Sequence, residues 1–166
     1  NCTVTNTTVT ATAPSSKSCT CEAGGIVGSN TYGMPGVRDG LVESCTVSES
    51  LIQASVAADD SRALAGGIAG ENCYTSILTS NVMGCEIQAK NTSSSSSSYD
   101  GDAAVAGGIV GYCFGGFSAE ENNGVMICNV SGSTSVKASA AEYSYAGGIA
   151  GRNLSNNHIT GCTVAD

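Results

Sequence analysis

The sequence has no tryptophan, two phenylalanines, two prolines and one histidine. Charged residues make up 12% of it and aromatic residues 5%. Both shares fall below those of ordinary globular domains, which build a thick core from Leu and aromatic side chains. Here the apolar content is mostly Ala, Val, Ile and Cys, which suits thin, closely layered packing. Six basic residues, Lys17, Arg38, Arg62, Lys90, Lys137 and Arg152, stand singly against a net charge of −8. Nucleic-acid backbones are bound by clustered cations, so no nucleic-acid partner is expected. No apolar run approaches the roughly 18 residues of a membrane-spanning helix, and no membrane insertion is expected. The 166-residue chain begins at Asn1, without a signal peptide; the expectation is a mature or excised piece of something longer.

Glycine is abundant, and its placement is periodic. Gly24-Gly25-Ile26-Val27-Gly28 recurs as Gly66-Gly67-Ile68-Ala69-Gly70, Gly107-Gly108-Ile109-Val110-Gly111 and Gly147-Gly148-Ile149-Ala150-Gly151, at spacings of 42, 41 and 40 residues. Ala23, Ala65, Ala106 and Ala146 precede the four copies. A period of this size marks a repeat architecture. The predicted fold is all-β: a parallel β-helix, or β-solenoid, of four repeats of about 41 residues forming one domain over residues 1–166. Its glycine blocks lie at 23–30, 65–72, 106–113 and 146–153.

A second block alternates with the first. Val42-x-x-Cys45-x-Val47, Val82-x-x-Cys85-x-Ile87, Val125-x-x-Cys128-x-Val130 and Ile159-x-x-Cys162-x-Val164 share one pattern, and Cys2-x-Val4 opens the chain on a truncated copy. The spacing predicts a short strand at each. Glycine and cysteine blocks lie 21, 19, 21 and 15 residues apart, compatible with one wide coil per repeat or two narrower ones. In either case stacked coils pair their strands about 4.8 Å apart, and equivalent residues form ladders. The Ala-Gly-Gly units suit a tight corner or narrow interior, with the following Ile in the core.

Three copies carry an asparagine two residues past the last glycine: Asn30, Asn72 and Asn153. These are expected to hydrogen-bond rung to rung. Cys113 takes that position in the third copy, and Cys73 follows Asn72, so a Cys73–Cys113 disulfide between neighbouring rungs is one expectation. Cys19 and Cys21 stand outside both blocks and are expected to pair elsewhere, if at all, because a bond between them would be strained. The in-register cysteines are expected to be buried thiols. Nine cysteines point to a disulfide-permissive, extracellular setting, and the odd count leaves one thiol free or bonded to another chain.

Gly-Gly-apolar-Val/Ala-Gly-x-Asn followed by apolar-x-x-Cys-x-Val resembles the GLUG-motif repeats of adhesin-like bacterial surface proteins. The resemblance spans most of the chain. It implies a β-solenoid on an extracellular or cell-surface protein, and it implies no catalytic residue. The chain departs from the family in having Ile where Leu is usual, in longer loops between blocks and in more cysteines.

Chemistry is sought and not found at motif level. The glycine block lacks the lysine and Ser/Thr of a phosphate loop. Cys19-x-Cys21 and His158 have no zinc-site partners. Asp59-Asp60 and Asp100-Gly101-Asp102 match no calcium loop. One histidine gives no motif support for a catalytic triad. Solenoid polysaccharide lyases and hydrolases are longer and cluster their acids. The alternating threonines of residues 3–12 do not recur on later coils, which disfavours an ice-binding array. No cofactor is expected. Sequons at Asn1, Asn6, Asn91, Asn129 and Asn153 are glycosylation candidates in a glycosylating host.

The expected function is therefore a non-enzymatic structural or adhesive repeat module. Its partner would be the rest of a longer surface protein or another copy stacked head to tail, since both ends fall in a cysteine block and neither shows a polar cap. The alternative is an adhesin that binds glycans or host surfaces through its variable loops, including Tyr32-Gly33-Met34-Pro35-Gly36, the serine run of residues 93–98, and residues 118–124, where one helical turn is conceivable.

Overall fold

The computed structural model describes residues 1–14, 18–31, 40–93, 103–115, 124–155 and 157–166. Most of the variable loops, including the Tyr32–Gly36 stretch, most of the serine run, Asp100–Asp102 and the conceivable turn at 118–122, lie outside them. The described residues form 21 strands and no helix.

The strands recur in fives, so one repeat is one coil. The first coil holds β1 (Thr3–Thr5), β2 (Thr8–Ala13), β3 (Thr20–Gly24), β4 (Val27–Thr31) and β5 (Leu41–Glu43). The second holds β6 (Thr46–Ser48), β7 (Leu51–Val56), β8 (Arg62–Gly66), β9 (Ala69–Cys73) and β10 (Ser76–Leu78). The third holds β11 (Asn81–Met83), β12 (Glu86–Asn91), β13 (Ala103–Gly107), β14 (Val110–Phe114) and β15 (Gly124–Met126). The fourth holds β16 (Asn129–Ser131), β17 (Ser135–Ser139), β18 (Tyr143–Gly147), β19 (Ala150–Leu154) and β20 (His158–Thr160), after which β21 (Thr163–Val164) starts a fifth rung. Like strands pair in parallel into five sheets, the first ordered β1-β6-β11-β16-β21 and the others four strands each.

Apolar residues stack in columns inside the coil. Val4, Val47, Val82, Val130 and Val164 are in register, as are Val9, Ile52, Ile87 and Val136, and Val42, Ile77, Val125 and Ile159. Ile52, Ile68, Ile77, Ile87 and Ile109 are fully buried, and each such side chain contributes roughly 1.5–3 kcal/mol. Ala23, Ala65 and Ala106 form a buried column of small residues beneath the glycine corner. The core is thin and aliphatic, as the composition requires.

The cysteines belong to the corners, and here one sequence alignment is corrected. Thr46, Asn81, Asn129 and Thr163 donate their backbone N–H to the carbonyls of Cys2, Cys45, Ser80 and Cys128 respectively. The ladder is therefore Cys2, Cys45, Ser80, Cys128, Cys162, and Cys85 is not in it. Cys85 stands one corner further on, with Thr7, Ser50 and Thr134. Val82-x-x-Cys85-x-Ile87 matches Val47-x-x-Ser50-x-Ile52, not Val42-x-x-Cys45-x-Val47.

Serine, threonine and cysteine interchange because the corner needs one short group that bonds in two directions. Ser50 Oγ donates to Ser48 O (2.7 Å) and accepts from Thr7 N on the rung before (3.1 Å). Ser80 Oγ donates to Leu78 O (2.9 Å) and accepts from Cys45 N (3.2 Å). Cys128 repeats the first bond with Met126 O, and Cys85 with Met83 O, both at 3.3 Å. The residue just before the corner group is left-handed: Asn6, Ser44, Glu49, Thr79, Ile127, Ser133, Gly84 and Gly161 all have positive φ. Ile127, at φ 55° and 61% exposed, is the poorest choice for that conformation, because a branched Cβ crowds the backbone there. Ile127→Asn should raise stability by about 0.5–1 kcal/mol in urea denaturation; a loss would contradict this account of the corner.

Candidate functional site

The three glycines of a block serve three different purposes. A Cβ on the first would lie 1.9 Å from a carbonyl oxygen three residues on: Val27 O for Gly24, Ala69 O for Gly66, Val110 O for Gly107. Gly147 meets Ala150 O at 2.0 Å. A Cβ on the second would strike the next rung: Gly25 meets Gly67 O at 2.3 Å, Gly67 meets Gly108 O at 2.2 Å, and Gly108 meets Gly148 O at 1.9 Å. The third packs on the third strand of its own coil or of the coil before. Gly28 faces Glu22 O at 3.1 Å, Gly70 Leu64 O at 3.0 Å, Gly111 Ala65 O at 2.8 Å and Gly151 Ala106 O at 2.6 Å. The block is a folded-over corner with backbone on every side.

Asn30, Asn72, Cys113 and Asn153 share one row on the inner face of β4, β9, β14 and β19. Asn30 Nδ2 donates to Asn72 Oδ1 at 2.8 Å, the expected rung-to-rung bond. Asn72 is fully buried; its Nδ2 donates to Thr75 O at 2.9 Å, and Thr75 Oγ1 lies 2.7 Å from its Oδ1. Asn72 Nδ2 also lies 3.7 Å from Cys113 Sγ. Asn153, on the last rung, is exposed and turns to Asn157 O at 3.4 Å.

The expected Cys73–Cys113 bond is corrected by register. Cys113 pairs with Asn72 and Phe114 with Cys73, so the two cysteines project to opposite faces of the sheet. Cys113 is buried and Cys73 lies on the outer side with Phe114. All nine cysteines are free thiols. Cys19 has a place after all: its N–H donates to Ser61 Oγ (3.0 Å), so it is the corner residue equivalent to Ser61. Cys21 points into the core from β3. Burial pushes the Cys73 thiol up to about 12 and the Cys113 thiol up to about 11, with Glu71 adding to the first. Both stay protonated and weakly nucleophilic at neutral pH.

The other singled-out residues fall apart in space. His158 opens β20, in register with Gly124, rather than sitting in a loop. Asp59 accepts from Ser93 Oγ at 2.7 Å. Among the sequons, Asn91 is buried, donates to Ser61 O (2.8 Å) and accepts from Ser93 N (2.8 Å). A glycan there would have to displace both bonds, so Asn91 is withdrawn as a candidate. Asn6 and Asn129 are exposed. Asn129 Nδ2 also donates to Asn81 Oδ1 at 2.9 Å.

The feature that sequence reasoning missed lies outside the glycine corner. Because the third and fourth strands of each coil fold sharply together, their outer faces enclose a narrow groove. Glu22, Leu64, Val105 and Tyr145 line one side, and Ser29, Glu71, Tyr112 and Arg152 the other. Leu64, Val105 and Ala103 are buried there against Tyr112 and Tyr145. The Arg62 guanidinium sits 5.3 Å from the centroid of Tyr112, and that of Arg152 sits 5.0 Å from Tyr145. The groove is therefore a second, smaller core closed by cation–π contacts. Its rows mix acidic, polar, aliphatic, aromatic and basic residues, so no repeat signal reveals them.

At the first-coil end the groove is acidic. Ser29 Oγ donates to Glu71 Oε2 at 3.3 Å, and the Glu22 carboxyl is raised by burial first and by the Glu71 carboxylate second. No group of three His, Cys, Asp or Glu able to hold a metal occurs among the described residues. A carboxyl raised on folding binds its proton more tightly in the folded state. Stability then falls as pH rises from the unfolded carboxylate range through the raised one. Glu22→Gln is expected to raise the melting temperature at pH 7 and to flatten the pH dependence between pH 4 and neutrality. An unchanged pH profile would contradict this assignment.

No family model, curated protein or solved structure matches the chain. The likeness to GLUG-motif repeats rests on the motif residues themselves.

Proposed function

We propose that the chain is a non-enzymatic structural repeat module of an extracellular protein, and that its coils continue head to tail into a second copy. One observation carries this reading: the inward-facing rows and the glycine corner of the first coil match those of the fourth. β2, β3, β4 and β5 form one edge of their sheets, and β17, β18, β19 and β20 the other. If the first coil is laid one rung past the fourth, Val9 falls on Val136, Ala11 on Ala138 and Ala23 on Ala146. Gly24-Gly25-Ile26 falls on Gly147-Gly148-Ile149, Asn30 on Asn153 and Val42 on Ile159. These pairs repeat the types that stack inside the molecule. Unpaired edges of this kind template further strand pairing, and a head-to-tail contact that does not close gives a fibre.

One row refuses the simple junction. β21 already occupies the rung beyond β16 that an incoming β1 would take. Between two copies β1 and β21 would compete for that rung, and one of the two must leave the stack. Cysteines that interchange with serine and threonine at the corners do not by their number argue for an oxidising compartment, so the extracellular setting is supported chiefly by the GLUG likeness.

Sedimentation velocity over a concentration series tests the proposal. The wild-type chain should associate, and deletion of residues 162–166 should strengthen association by removing that competition. Monomers at every concentration from both chains would sink it. Binding of a monomeric form on a glycan array would favour the adhesin reading instead.

A further inference from the structure

The corner ladder Cys2, Cys45, Ser80, Cys128, Cys162 brings cysteines onto adjacent rungs at its first step and at its last, and at the last step the sulfur of Cys162 meets Cys128. Asn129 pairs with Thr163 and Val130 with Val164, so Cys128 and Cys162, one residue earlier, are in register. Thr163 N–H donates to Cys128 O at 2.9 Å. Cys162 Sγ reaches back across the stack, accepting from Cys128 N at the head of the fourth coil at 3.4 Å and lying 3.5 Å from Val125 O on β15. Cα atoms on paired strands lie about 4.8 Å apart, inside the roughly 4.4–6.8 Å range of disulfides. The Cβ atoms need to close by under about 1 Å. β21 can supply that shift: it has two residues, and Val164 is 59% exposed.

We propose that Cys128 and Cys162 form a reversible disulfide that staples β21 to β16 when the protein meets a disulfide oxidant. The proposal rests on the corner geometry and not on head-to-tail assembly. With oxidised glutathione the half-buried Cys162 thiolate attacks first, releasing one glutathione thiol and leaving a mixed disulfide. The Cys128 thiolate then attacks the Cys162 sulfur and releases the second glutathione thiol. Two protein S–H bonds are lost and one S–S bond is gained. The oxidant is reduced to two thiols, which carry the two protons. Burial holds the Cys128 thiol up at about 11, which makes the second step the slow one.

The folded wild-type chain is incubated with oxidised glutathione, alkylated, and mapped by non-reducing peptide mass spectrometry. The expected result is a Cys162–glutathione adduct that decays into a Cys128–Cys162 cross-link within one chain. Protection of the β21 amides from hydrogen exchange should rise together with the cross-link and fall on reduction. Cys162→Ser should fold normally, because serine fills the equivalent corner at Ser80, and should lose the cross-link. A Cys162 adduct that never resolves would overturn the proposal. So would a dominant cross-link between other cysteines, or one between two chains.

Discussion

Gly108→Ala should cost about 3–5 kcal/mol, whereas Gly148→Ala, the same substitution one rung on, should cost under about 1 kcal/mol. In ordinary extended backbone, glycine to alanine is neutral or stabilising, because alanine restricts the unfolded chain. At Gly108 the new methyl would stand 1.9 Å from Gly148 O and 2.8 Å from Val130 Cγ2. To make room, the third and fourth coils must part by more than an ångström (about the overlap of a normal carbon–oxygen contact). That breaks the bonds from Gly108 N to Gly147 O and from Ile109 N to Ile149 O. At Gly148 the nearest atom is Val164 Cγ2 at 2.9 Å, the end of a movable and exposed side chain. The loss at Gly108 is a large part of a typical domain's 5–15 kcal/mol. Urea midpoints of the two variants, read by circular dichroism, check the contrast. Equal losses would mean that the second glycine serves its own turn and not the rung spacing.

Asn72→Ala should be the most damaging loss of a polar side chain. Asn72 and Thr75 are buried, and Asn72 joins Thr75 Oγ1, Thr75 O and the part-exposed Asn30 Nδ2. Removing it takes one bond from each partner; Thr75 Oγ1 still donates to Asn30 O (2.8 Å) and Thr75 O still accepts from Gly124 N (3.1 Å), so the cost is that of three lost bonds at about 0.5–1.5 kcal/mol each. A total of about 2–4 kcal/mol is expected. Asn30→Ala, at the part-exposed end of the row, should cost under about 1 kcal/mol, because the buried Asn72 Oδ1 keeps Thr75 Oγ1 as a donor. Denaturation midpoints decide this too; equal effects would show that the Asn30–Asn72 bond, and not the bonds to Thr75, holds the row.

These two predictions follow from features that were legible in the sequence. Glycine and asparagine recur because backbone proximity and amide pairing tolerate few alternatives, so their rows keep one residue type across coils. The corner rows were only half legible. Any short group with a donor and an acceptor serves there, so Ser50, Cys85 and Thr134 are equivalent in space and unlike in letters. Reading cysteine alone put Cys85 on the wrong corner and left Cys19 without a place. Cys73 and Cys113 are out of register by one residue, and in a strand one residue reverses the face. Coil width was hidden by uneven spacing. The first sheet advances by 43, 35, 48 and 34 residues per rung, while the glycine corner keeps to 42, 41 and 40. The outer groove could not be read at all. It depends on two strands folding face to face, and its rows run from Glu22 to Tyr145 and from Ser29 to Arg152 with no common chemistry.

The central claim is that this chain is a segment of a continuing stack, four rungs deep. Electron cryomicroscopy of the concentrated protein measures it directly. The account predicts unbranched filaments one coil wide, with an axial rise per subunit of about 19 Å, four rungs at roughly 4.8 Å each, and no filaments from Gly148→Ala, whose added methyl would meet the Gly25 carbonyl of the next copy. Discrete particles at every concentration, or filaments that persist in Gly148→Ala, would contradict it.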